Sequence, residues 1–141
     1  MNALQSSRRY AVLMAYSILL VIVLCGCSDD DDPVALAQFE PEIVNVADSF
    51  SMQATGVKNV TTTVNYTWNN SATRATIDHS TTSDSGSAVL EIRDSAGTIV
   101  YSKTLSPSLN EMSTEGLVGD WTIQVKFTGY TGTLNFTVQS L

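Results

Sequence analysis

The run Trp121-Thr122-Ile123-Gln124-Val125-Lys126-Phe127 decides the fold class, because its odd positions are apolar and its even positions are Thr, Gln and Lys. Period two is the mark of a strand with one face buried and the other in water. Beyond Thr128-Gly129-Tyr130-Thr131-Gly132 the same alternation resumes, with Leu134, Phe136 and Val138 set against Asn135, Thr137 and Gln139. The glycine-bearing segment between the two runs predicts a chain reversal, and the pair reads as a hairpin.

Working outward, Ala88, Leu90 and Ile92 alternate with Val89, Glu91 and Arg93 ahead of the turn sequence Asp94-Ser95-Ala96-Gly97. Thr98 to Leu105 then returns as the partner strand. Phe50, Met52 and Ala54 form another period-two run, as do Val60, Val64, Tyr66 and Trp68, and Thr73 to Ser80 reads as a further strand. About seven or eight short strands without a helical stripe predict an all-β, antiparallel two-sheet sandwich, jelly-roll or immunoglobulin-like, over residues 43–141. A closed barrel is the alternative.

The chain has 141 residues, enough for one modest core, with 14 acidic against 7 basic side chains. Its formal charge of −7 disfavours nucleic acid, since no basic patch is present to neutralise phosphates. The two cysteines, Cys25 and Cys27, stand one residue apart near the N-terminus, so the folded part depends on apolar burial rather than on a disulfide.

Arg8 and Arg9 precede an apolar run from Tyr10 to Leu24, too short for the ~20 residues of a spanning helix and suited to a signal h-region. Leu24-Cys25-Gly26-Cys27 resembles the lipobox of bacterial lipoproteins, in which a dedicated peptidase reads the first three residues and cuts before the cysteine. The resemblance implies that residues 1–26 are removed and that Cys27 carries a diacylglyceryl group, with palmitate-type chains holding the protein to a membrane. An uncleaved signal anchor is the alternative. Loss of Arg8 and Arg9 with the signal leaves the mature part more acidic still.

Ser28-Asp29-Asp30-Asp31-Asp32 is too charged to pack and reads as a spacer, continued by Pro33 and Pro41 to make a lipidated acidic tether over residues 27–42. The same five residues resemble the export signal of Bacteroidetes lipoproteins. That resemblance implies an outer-membrane protein exposed at the cell surface, while a tether facing the periplasm is the plainer reading.

Ser87 to Tyr101, Gly119 to Val125 and Gly132 to Val138 together resemble the pre-peptidase C-terminal type of β-sandwich, which implies an accessory module. Candidate sites are few. Trp68, beside Asn69 and Asn70, and Tyr130, between glycines, are a candidate ligand platform for a sugar ring, against core packing as the plainer role. Asp84, Asp94 and Asp120 fall in expected loops and supply oxygen ligands of the kind calcium takes, although no calcium-loop motif is formed. Asp94-Ser95-Ala96 resembles a Bacteroidetes O-glycosylation acceptor with Ser95 as the sugar site, a role compatible with a hairpin turn. His79 is the one histidine, which leaves no multi-histidine metal site, and it is expected on a strand surface facing away from its neighbour Asp78. Asp84-Ser85-Gly86 is a fragment of a protease-like motif without its companions, so Ser85 reads as loop. The expectation is therefore a membrane-anchored, non-enzymatic binding or envelope-structural module without a cofactor, its partner a glycan or an envelope protein. A carbohydrate-binding module and a calcium-stabilised accessory subunit are the alternatives.

Overall fold

The computed structural model describes residues 35–106 and 108–141. The residues read as signal sequence and lipobox, and the acidic run after them, lie outside the described residues. A 3-10 turn, Leu36–Phe39, leads into β1 (Glu42–Val46), β2 (Ser49–Asn70), β3 (Ala75–His79), β4 (Thr82–Arg93), β5 (Ile99–Thr104), β6 (Leu109–Met112) and β7 (Gly119–Ser140). All pairings are antiparallel, so the all-β expectation holds.

Two of the strands are long, and they organise the rest. β2 and β7 pair from Ser49↔Gln139 through to Asn70↔Gly119. On its other side β7 meets β4 along its first part and β3 along its last part. One sheet therefore runs β5-β4-β7-β2, using the first part of β7 and the last part of β2. The other runs β6-β3-β7-β2-β1, using the opposite parts of the same two strands. The sandwich thus consists of two sheets that share their central pair.

A 22-residue strand drawn out straight would reach roughly 70 Å. β2 instead doubles back, and the N–H of Asp48, just before it, donates to the carbonyl of Asn69 at 2.9 Å. The Asp48 carboxylate fastens this closure. It accepts from the Ser71 N–H at 2.7 Å, the Ser71 hydroxyl at 2.9 Å and the Ser140 hydroxyl at 2.7 Å. These bonds, that from Ser140 first, hold the Asp48 carboxyl below its ordinary range.

The bend is made where the ladders slip. Register shifts fall between Ala54 and Thr62 on β2 and between Ser83 and Ser87 on β4, all opposite residues 127–133 of β7. Bulges of this kind bend a strand and raise its twist. Gly132 has φ +152°, and a Cβ there would stand 2.2 Å from the Thr82 carbonyl oxygen. Gly86 has φ +66°, and a Cβ there would stand 2.2 Å from the Gly129 carbonyl oxygen. Two backbones approach that closely only where side chains are missing.

The corner explains the one topological correction to the sequence reading. Trp121 to Phe127 and Leu134 to Val138 are not the two arms of a hairpin; they are parts of one strand. The buried positions pass from odd (121, 123, 125, 127) to even (130, 132, 134, 136, 138) across the corner, so both parts keep their apolar face inward. The runs at Phe50–Ala54 and Val60–Trp68 fuse in the same way into β2.

Between the sheets lies a core that includes Phe50, Trp68, Trp121, Phe127, Tyr130 and Phe136, each at most 1 % exposed. Burial of one such ring contributes roughly 1.5–3 kcal/mol. The folded region also begins earlier than residue 43. Leu36 is buried and Phe39 packs on the core, so this part of the expected tether caps β2. At the outer edge of its sheet, β1 is exposed along its whole length.

Candidate functional site

The two sheets meet at the shared strands and part at their opposite edges, which are β5 and β6. A groove of about 460 Å³ occupies this seam, lined by Val100, Tyr101, Ser102, Lys103, Glu111, Met112 and Thr114. β5 and β6 follow one another in the chain and form these two edges. The Thr114 N–H donates to the Val100 carbonyl at 2.9 Å and the Thr114 hydroxyl donates to it at 3.1 Å, which ties the two edges near the start of β5.

Alternation in the ladders fixes where the remaining backbone groups point. The Leu105 N–H donates to Ala88 of β4, so the backbone groups of Lys103 and Tyr101 also face β4, while those of Ser102 and Thr104 face away from it. The Ser113 N–H donates to Ala75 beside β3, so the backbone groups of Glu111 and Leu109 face β3, while those of Asn110 and Met112 face away from it. Of these outward residues, Ser102 and Met112 line the groove.

Side chains bridge what the backbones leave apart. The Lys103 ammonium donates to Glu111 Oε1 at 2.5 Å, and the Tyr101 hydroxyl donates to Glu111 Oε2 at 3.3 Å. Glu111, from one sheet, thus accepts from two groups of the other, and the Lys103 bond is the chief reason its carboxyl sits below the ordinary range. Burial, reinforced by the Glu111 charge, pushes the Tyr101 phenol up to about 12. The ion pair itself is largely solvated and contributes little to stability.

His79 is buried on the inner face beside this site, which corrects the expectation of a surface position. β3 points Ala75, Ile77 and His79 inward, and His79 is 1 % exposed. Asp78 is exposed, on the opposite face as expected. Glu111 stands opposite Ile77 in the ladder, one diagonal step from His79 on the same inner face. Neither ring nitrogen of His79 has a hydrogen-bond partner among the described residues. Desolvation lowers its basicity, with Lys103 acting in the same direction and Glu111 and Asp78 against it.

The expected aromatic platform is overturned. Trp68 and Tyr130 are both 0 % exposed. Trp68 packs edge-on against Trp121 at a ring separation of 5.9 Å, while Tyr130 leans on Phe127 at 5.6 Å and donates its hydroxyl to the Thr82 carbonyl at 2.8 Å. Neither ring has a face left for a sugar. Both lie on inward positions of the bent strands, and the bend carries them under the second sheet.

Asp94 is a turn anchor. Its carboxylate accepts from the N–H groups of Ala96 at 3.0 Å, Thr98 at 2.8 Å and Leu117 at 3.0 Å. Those bonds, that from Leu117 first, hold its carboxyl below the usual range. Ser95 is exposed on the same turn, its hydroxyl 2.9 Å from the Val118 carbonyl and 3.2 Å from that of Leu117. Asp120 accepts from the Asn69 amide at 3.0 Å, and Asp84 and Ser85 lie on the exposed first part of β4. Among the described residues no three His, Cys, Asp or Glu side chains gather as metal ligands. Leu24, Cys25, Gly26, Cys27, Ser28 and Asp29 to Asp32 lie outside the described residues.

The seam residues Tyr101, Lys103 and Glu111 were not singled out by sequence. Alternation marks Thr98 to Leu105 as a strand, but nothing local says that it ends a sheet or which acid lies across the gap. Compared with known proteins, the chain matches no family model, no curated protein and no solved structure.

Proposed function

We propose that this is a lipid-anchored, exported binding module, held to the outer membrane through Cys27 and presenting the seam between β5 and β6 as its ligand surface. The observation that carries the binding role is the groove of about 460 Å³, where apolar walls meet a carboxylate, an ammonium and free backbone groups. Concave sites of that size and mixed lining are where proteins take small ligands and short segments. The anchor rests on Leu24-Cys25-Gly26-Cys27, and surface display rests on the acidic run after it. The β-sandwich is a rigid, non-enzymatic platform, in keeping with the pre-peptidase C-terminal resemblance of its second half.

Delivery and display are tested together in cells. Labelling with an alkyne-tagged palmitate should mark the protein and should vanish in Cys27→Ala. External protease should remove the domain from intact cells, and replacement of Asp29 to Asp32 by alanine should protect it. Unlabelled protein that retains residues 1–26 would refute the anchor, and equal digestion of both forms would refute the export signal.

A further inference from the structure

We infer that the seam takes an extended basic peptide segment of a partner protein, which adds as a strand along the free edge of β5 and places a lysine or arginine on Glu111. The inference deepens the binding-module reading and rests on it. Its first ground is the backbone. Ser102 on one side and Met112 on the other line one groove, and each belongs to a sheet edge whose outward N–H and C=O groups have no ladder partner among the described residues. Unpaired edge groups are a template for another strand, and two such edges facing each other favour a main chain over a compact molecule.

The second ground is the polar floor. Glu111 carries the one carboxylate lining the groove, and its present partner is Lys103 from the opposite edge. Lys103 here acts as an internal stand-in for a ligand cation. One diagonal step from Glu111 on the inner face, the two buried nitrogens of His79 have no partner among the described residues, so hydrogen-bonding capacity beside the groove is unused. The third ground is charge. A chain of net charge −7 attracts a basic segment and repels an acidic one or a second copy of itself. An antiparallel addition to β5 uses the more stable ladder and sets alternate side chains toward Glu111.

The test uses the full-length chain in detergent micelles and three blocked hexapeptides: one alternating lysine with valine, one with glutamate in place of lysine, and the lysine peptide with its backbone N-methylated. Titration calorimetry should show binding of the lysine peptide alone. Amide exchange should slow at Ser102 and Thr104 when it is added. Glu111→Gln should weaken it about tenfold, as expected for loss of a charge-assisted bond. Lys103→Met should strengthen it, because the internal competitor is gone; a merely structural ion pair would give weakening or no change. Equal affinity for the lysine and glutamate peptides, undiminished binding of the N-methylated peptide, or protection on β1 instead of β5 would overturn the inference. The palmitate-labelling result stands apart from these titrations, so failure of the anchor and failure of the peptide site are distinguishable.

Discussion

Replacing Gly132 by alanine tests whether the corner of β7 is what allows two sheets to share a strand. The position has φ +152°, a conformation nearly reserved to glycine, and side chains forced into such regions cost about 1–3 kcal/mol. The added Cβ would also stand 2.2 Å from the Thr82 oxygen and 3.1 Å from Ser83 Cα, so backbone has to move on β4. Overpacking of that kind adds about 1–3 kcal/mol. The expected loss is therefore about 2–6 kcal/mol, a large share of the roughly 5–15 kcal/mol that holds a domain folded. Gly56 is the internal control, because it too has positive φ, +63°, but a Cβ there meets nothing within 4 Å. Gly56→Ala should cost only about 1–2 kcal/mol. Urea unfolding of a form beginning at Ser28, followed by the fluorescence of buried Trp68 and Trp121, would separate the two by a midpoint difference of about 1–2 M. Coincident midpoints for the two variants would refute the reasoning, since the strain would then owe nothing to the closeness of β4.

The two core indoles should respond unequally to loss of their nitrogens. Trp121 donates to the Leu117 carbonyl at 2.7 Å, whereas Trp68 Nε1 is buried with no acceptor. Trp121→Phe should therefore cost about 1 kcal/mol more than Trp68→Phe in the same urea experiment, and the reverse order would contradict the assigned bond. His79 should impose a pH dependence of its own. Its folded basicity is below the ordinary 6.5, so the unfolded chain binds more protons and stability falls as pH drops from 6.5 toward the lower folded value. His79→Phe should flatten that slope, while the loss at still lower pH, where the Asp48, Asp94 and Glu111 carboxylates protonate, should persist. A slope unchanged by the substitution would place the titration elsewhere.

Alternation alone made the class of fold legible. Phe50, Met52, Leu90, Ile92, Ile123, Val125, Phe136 and Val138 were each marked as inward by period two, and each is buried. The strand β4, its turn at Asp94 to Gly97 and the return along β5 were legible for the same reason, because a hairpin is a local object. The site was much less legible. Trp68 and Tyr130 read as a platform, being large aromatics beside polar or small neighbours, and His79 reads as a surface residue, because a single strand does not reveal what lies over its inner face.

By itself, then, the sequence determined that the chain is all-β and which side chains its clearly alternating runs turn inward. Tertiary structure decided whether Thr128 to Gly132 reverses the chain or merely bends it, since a glycine-rich break in an alternating run serves either. The choice is made by pairing with β2 and β4, which lie far away in sequence. It also decided that Lys103, Tyr101 and Glu111 share one seam, with His79 buried beside it. Side-chain alternation is a property of neighbouring residues, whereas a sheet edge is defined by the strand that fails to lie next to it.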